Sequence, residues 1–227
     1  MAGTFLVIWI FMSFVDKEPF INLGLHVKNR FKEIIFGTIL GFVLLGLGLL
    51  ILIILEEVTI ENFNVNKNKL WSAFLLFLIV AFTEEIMFRG YVLRNSLYSF
   101  NKYGALLISS ILFALAHSFN PNMSWFTFLE LFVAGMLLGI SYIYTKNLWF
   151  PIALHFSWNF FQTLFGFKVS GQEFYSLVEL EVSDNNIING GEFGFEGSIL
   201  ALIFQLILLV TIWVYFEKYK SKRQLRG

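Results

Sequence analysis

Three stretches of this sequence carry ionisable or amide side chains inside otherwise apolar runs, where burying them is costly unless they pair or work. The first is Thr83-Glu84-Glu85-Ile86-Met87-Phe88-Arg89-Gly90, preceded by the charge-free run Trp71–Phe82. On a helix, Glu85 and Arg89 stand four apart on one face and can form an ion pair. Glu84 is rotated about 100° from Glu85 and is free to point elsewhere. The second stretch, Phe113-Ala114-Leu115-Ala116-His117, ends a mostly apolar helix with a His that shares its face with Phe113 at i−4. The third, His155-Phe156-Ser157-Trp158-Asn159, places a His and an Asn at i, i+4 as one polar stripe. The chain has three His, and two of them lie in these runs. Glu130, with no partner at motif spacing, reads as interfacial or structural, and His26 reads as solvated among basic residues.

Two carboxylates, an Arg, two His and an Asn on three helices have the composition of a hydrolytic site. A carboxylate can serve as general base to a water within hydrogen-bond reach. His and Asn side chains can aim donors at the oxyanion of a tetrahedral intermediate. The same residues also allow a metal reading, because two His and one Glu form a known catalytic zinc set. Spacing does not choose between these, since the groups come from separate helices. Taken singly, each motif also has a structural reading: acids at a helix end, a hydrogen-bonded His, or an interhelical His/Asn contact.

The elements that must position these residues are membrane spans. Of 227 residues, 57% are hydrophobic, 19% aromatic and 14% charged, with mean hydropathy +0.72. An ordinary soluble domain is about 25% charged. That composition excludes a disordered chain, a nucleic-acid binder and a soluble enzyme. The absence of Cys excludes thiol catalysis and disulfides. Apolar runs at Ile34–Leu55, Leu70–Phe88, Gly104–Phe119, Trp125–Tyr144, Leu148–Phe165 and Ser198–Phe216 predict six helical spans, and the shorter Thr4–Val15 is either a seventh or an interfacial segment. The expected fold is all-α, a polytopic transmembrane helix bundle forming one domain over residues 1–227. Small-residue pairs Gly37/Gly41 and Gly135/Gly139 would let helices approach closely. With the C-terminus inside, the inner segments hold twelve Lys and Arg against Lys67, Lys69 and Lys168 outside, with Arg89 set aside. That bias predicts a cytoplasmic C-terminus. The acidic stretch Gly166–Gly197 falls outside.

Glu84-Glu85-x-x-x-Arg89, Phe113-x-x-x-His117 and His155-x-x-x-Asn159, in this order on successive spans, resemble the three motifs of the CPBP family. These are the CAAX-protease and bacteriocin-processing (ABI) intramembrane endopeptidases. Thr145-Lys146-Asn147-Leu148-Trp149-Phe150-Pro151 resembles the family's lead-in to its last motif, and the likeness covers about residues 71–165. The resemblance implies an endopeptidase acting on a membrane-associated peptide or lipidated protein in a bilayer, expected to be a bacterial plasma membrane. It implies that Glu84 activates water, His117 assists, and His155 with Asn159 stabilises the oxyanion. Glu85, Arg89 and Phe113 would support them. The preferred reading has no cofactor; in the zinc-dependent alternative, Glu84, His117 and His155 would hold the ion. A non-catalytic role in self-immunity to bacteriocins is a further alternative within the family.

Overall fold

The structure, a computed structural model, describes residues 2–220 of the 227. Lys222, Arg223 and Arg226, counted above toward the basic side, lie outside the described residues. Seven helices follow one another: α1 (Ala2–Asp16), α2 (Phe31–Ile54), α3 (Lys67–Ser99), α4 (Lys102–Ala116), α5 (Trp125–Thr145), α6 (Trp149–Leu164) and α7 (Ile199–Lys218). The fold is the expected all-α bundle. Four helices, α2, α3, α5 and α7, are long and apolar enough to cross a bilayer, while α1 and α4 are shorter apolar helices.

Polar caps set where the spans begin. The Asn66 side chain accepts from the backbone N–H groups of Asn68 and Lys69 at the start of α3, and Asn101 does the same for α4 from Tyr103 and Gly104. Ser124 and Thr127 cap α5 reciprocally, and Ser198 accepts from Ala201 at the start of α7. These side chains satisfy N–H groups that the first helical turn leaves unpaired.

Helix α6 is the axis of the bundle, with 14 of its 16 residues buried. It is apolar on nearly every side because α2, α3 and α5 surround it. The Gly37/Gly41 pair lets α2 lie directly against it: a Cβ on Gly41 would sit 2.6 Å from Ser157 Oγ. The Ser157 hydroxyl uses this proximity to donate to Thr38 O at 2.6 Å. Gly135 and Gly139 meet α4 in the same way, at Ser110 and Leu106. Within α3, residues Ile86–Leu93 widen into a π-helical stretch immediately after the two acids. Such wide turns are frequent at functional sites.

The two ends of the bundle differ. At the end carrying Lys17, Lys28, Lys102 and Lys146, residues 19–26 form a strap across the helix ends. Leu148 N donates to Gly24 O at 2.9 Å, Tyr142 Oη to Leu23 O at 3.0 Å and Asn147 Nδ2 to His26 O at 2.9 Å. At the other end, β1 (Val58–Phe63) pairs antiparallel with β2 (Val178–Val182), bringing Val58 opposite Val182 and Phe63 opposite Val178. The acidic stretch Gly166–Gly197 therefore contains a strand. Glu57 holds it down by accepting from Asn186 at 2.7 Å and Asn189 at 2.9 Å.

Candidate functional site

The three motifs meet inside the bundle. Glu85 and Arg89 are both fully buried and paired, with Arg89 Nη1 donating to Glu85 Oε1 at 2.8 Å. A buried carboxylate needs several partners, and the same Glu85 oxygen also meets His155 Nδ1 at 2.8 Å. Arg89 Nη2 donates to Gly135 O at 3.0 Å, and its guanidinium lies over the Phe113 ring, 4.4 Å from the centroid. One ion pair on α3 thus ties α4, α5 and α6 into a single arrangement. Phe113 supplies the face on which the cation rests.

Glu84 points the other way, into a cavity of about 430 Å³. Its Oε2 stands 3.6 Å from His117 Nε2 and 3.9 Å from His155 Nε2. Those separations are too long for direct hydrogen bonds, and Oε2 is buried without a hydrogen-bond partner among the described residues. His117 Nδ1 lies 2.8 Å from Phe113 O. A carbonyl oxygen and a carboxylate only accept, so both His rings donate from Nδ1 and turn Nε2 toward Glu84. Asn159 lines the cavity one turn beyond His155, and its amide has no hydrogen-bond partner among the described residues. All seven residues singled out from the sequence lie in one cluster, with Glu84, His117, His155 and Asn159 facing the cavity and Glu85, Arg89 and Phe113 behind or beside them.

Further residues share the cavity that the sequence did not single out: Asn120, Ser170, Gln172, Glu196 and Gln205. Glu196 comes from a short turn, Phe195–Gly197, in the acidic stretch. Its Oε2 accepts from Ser170 N at 2.8 Å and Ser170 Oγ at 2.9 Å. Burial raises its pKa above the ordinary carboxylate value, while the two Ser170 donors and the nearby His117 and His155 pull it back. Nothing local marks Glu196 among six acids of one loop. Of the two readings of Glu130, the structural one fits: it is fully buried and accepts a hydrogen bond from Gln205 Nε2 of α7. The pair joins α5 to α7 where Gln205 reaches the cavity wall.

Two ligands of a tetrahedral zinc stand roughly 3.4 Å apart. The two separations of Glu84 from His117 and His155 exceed that by a few tenths of an ångström, and among the described residues no group of three His, Cys, Asp or Glu is spaced to hold a metal. Their outward Nδ1 hydrogen bonds are nonetheless of the kind that orients metal-bound His.

Residues 66–161 match the family model described as "Type II CAAX prenyl endopeptidase Rce1-like", consistent with the CPBP resemblance of the three motifs. The chain is 33% identical over 93 residues to an Escherichia coli protein called "Uncharacterized 24.3 kDa protein", covering 40% of this chain and 42% of that one. It is 33% identical over 91 residues to "Uncharacterized protein YpbD" of Bacillus subtilis, covering 40% and 43%. The chain spans about two fifths of the length of these curated relatives. No solved structure matches it. The matched segment begins at the cap of α3 and ends within α6, so it contains all three motifs. Its long apolar helices and this match fit an integral membrane protein whose residues 66–161 are similar to a family of endopeptidases.

Proposed function

We propose that this protein is an intramembrane endopeptidase that hydrolyses a peptide bond in a membrane-associated substrate, with Glu84 activating the attacking water. The observation that carries this reading is the placement of Glu84 Oε2 at 3.6 and 3.9 Å from two Nε2 atoms in a cavity also lined by Asn159. A water bound by Glu84 transfers one proton to the carboxylate and keeps the other, hydrogen-bonded to the Nε2 lone pair of His117. Its oxygen is then free to attack a carbonyl carbon. Asn159 donates from its amide to the developing oxyanion. His155 can donate from Nε2 only when it carries both ring protons, and Glu85 at 2.8 Å pairs that imidazolium. Arg89 holds Glu85 in place through their ion pair. Glu84 then passes its proton to the leaving amine. The substrate is a CAAX-like or leader-bearing peptide or a lipidated protein. The basic face is cytoplasmic, in a bacterial plasma membrane.

The Nδ1 hydrogen bonds of His117 and His155 favour a second reading, in which zinc, if held by Glu84, His117 and His155, would activate the water. One experiment separates the two. Purified wild type and Glu84→Gln are compared on a fluorogenic lipopeptide panel, with and without a chelator. Cleavage lost in the variant and retained with chelator supports the carboxylate as base. Cleavage lost with chelator and restored by zinc supports the metal. Cleavage by Glu84→Gln at the wild-type rate refutes both.

A further inference from the structure

The cavity is not placed symmetrically between the two ends of the bundle. Its walls include Asn120, Ser170, Gln172 and Glu196, all from segments at the acidic end. None of the connecting residues 17–30, 100–101 or 146–148 at the basic end lines it. The strap explains why. Leu23, Leu93 and Leu148 are completely buried beneath it, and Gly90 packs so closely that a Cβ would meet Leu148 and Leu23 at 3.2 and 3.3 Å. The hydrogen bonds from Tyr142, Asn147 and Leu148 to residues 23–26 fasten this closure across the helix ends. A path from the basic side would have to break a packed apolar floor together with those bonds. The acidic end is instead built from turns around the cavity, joined where Gly171 N donates to Phe193 O at 2.9 Å and where Ser170 binds Glu196.

That end also has a definite charge. Glu56, Glu61, Glu173, Glu181, Asp184 and Glu192 are exposed there. Of the three Lys on the same side, Lys168 is already engaged by Glu173 and Glu192. A face of one sign raises the local concentration of ligands of opposite sign at that end of the bundle.

We infer that the cavity is loaded from the acidic face of the bundle, closed to the basic face by the 19–26 strap, and that it takes a basic peptide segment. The substrate half of this inference rests on the endopeptidase reading; the access half does not. With the basic face cytoplasmic, the peptide segment reaches the site from the outer side of the membrane, which favours the leader-bearing peptide over a cytosolic lipidated protein among the substrates proposed above.

The chain contains no Cys, so single thiols can be introduced without a background. Val80→Cys and Ala134→Cys report the cavity, Glu181→Cys the acidic face and Val27→Cys the basic face. A membrane-impermeant thiol reagent is applied to right-side-out and to inverted vesicles. The expected result is that Val80→Cys and Ala134→Cys label in the preparation that labels Glu181→Cys, at least tenfold faster than in the other. Labelling together with Val27→Cys overturns the inference. So does labelling only by a lipid-soluble maleimide, which would put the entrance in the bilayer. The Glu84→Gln background should label identically, so failure of access and failure of catalysis are distinguishable. Octalysine at low salt should slow labelling of Val80→Cys at least fivefold while octaglutamate does not. Equal effects of the two peptides refute the basic-substrate half.

Discussion

The buried Glu85–Arg89 pair supports a quantitative prediction. At 2.8 Å, two unit charges attract by about 6 kcal/mol at an effective dielectric near 20. Part of that is offset by desolvating both groups, so the net worth of the pair is much smaller than its attraction. Removing only the cation is a different matter. Arg89→Met keeps the length of the side chain but leaves a fully buried carboxylate with His155 as its remaining partner, and frees Gly135 O. The expected loss is about 3–5 kcal/mol. At roughly 2–4 °C per kcal/mol for a chain of this size, Tm should fall by about 6–20 °C. Neutralising both members, Glu85→Gln with Arg89→Met, should restore most of that stability, because the amide still accepts from His155 and no buried charge is stranded. Cleavage should stay low in the double variant, since the amide no longer pairs an imidazolium at His155. The assay is thermal unfolding in detergent followed by Trp fluorescence, run beside a cleavage assay. An Arg89→Met loss below about 1 kcal/mol, or a double variant no more stable than the single, would refute this account of the pair.

Asn159→Ala should lower kcat by about 10²–10³ with Tm nearly unchanged, as expected for a donor that acts on the oxyanion; an equal rate removes Asn159 from the mechanism. Gly41→Val should lower stability by about 1–3 kcal/mol through collision with Ser157, and restoring Tm by Ser157→Gly in that background would identify the contact. Glu57→Ala removes the acceptor of Asn186 and Asn189 and should speed limited proteolysis within residues 183–190, measured against wild type by mass spectrometry. Glu18, in the segment before α2, has its pKa lowered by a hydrogen bond from Asn22 and by Arg94. Its folded value lies below the ordinary 4.5, so its contribution is present above pH 4.5 and lost as pH falls through the folded value. Glu18→Gln should therefore flatten the decline of Tm below pH 4.5, and an unchanged slope would dismiss the interaction.

Much of this protein was legible in the residues alone. The spans follow from apolar runs bounded by Asn, Ser and Pro. The Glu85–Arg89 pair follows from i, i+4 spacing, and the close helix approaches follow from Gly37/Gly41 and Gly135/Gly139. These are properties of one helix and its own surface, which periodicity encodes directly. What the chain does across helices was not legible. That His155 shares the Glu85 oxygen with Arg89, that Phe113 lies beneath the guanidinium, and that Glu84 rather than Glu85 faces the cavity depend on the depth and rotation of α3, α4 and α6. Packing around α6 and the π-helical stretch after Glu85 set those quantities. Glu130 read as interfacial or structural, and only its partner Gln205, 75 residues away on α7, decides for the structural role. Glu196 was one acid among many until the turn at 195–197 brought it to Ser170 and the cavity. Hydrophobicity and helical period determine which segments enter the membrane and which side chains share a face. Only tertiary packing decides which faces meet, because that choice is made by contacts between residues far apart in the chain.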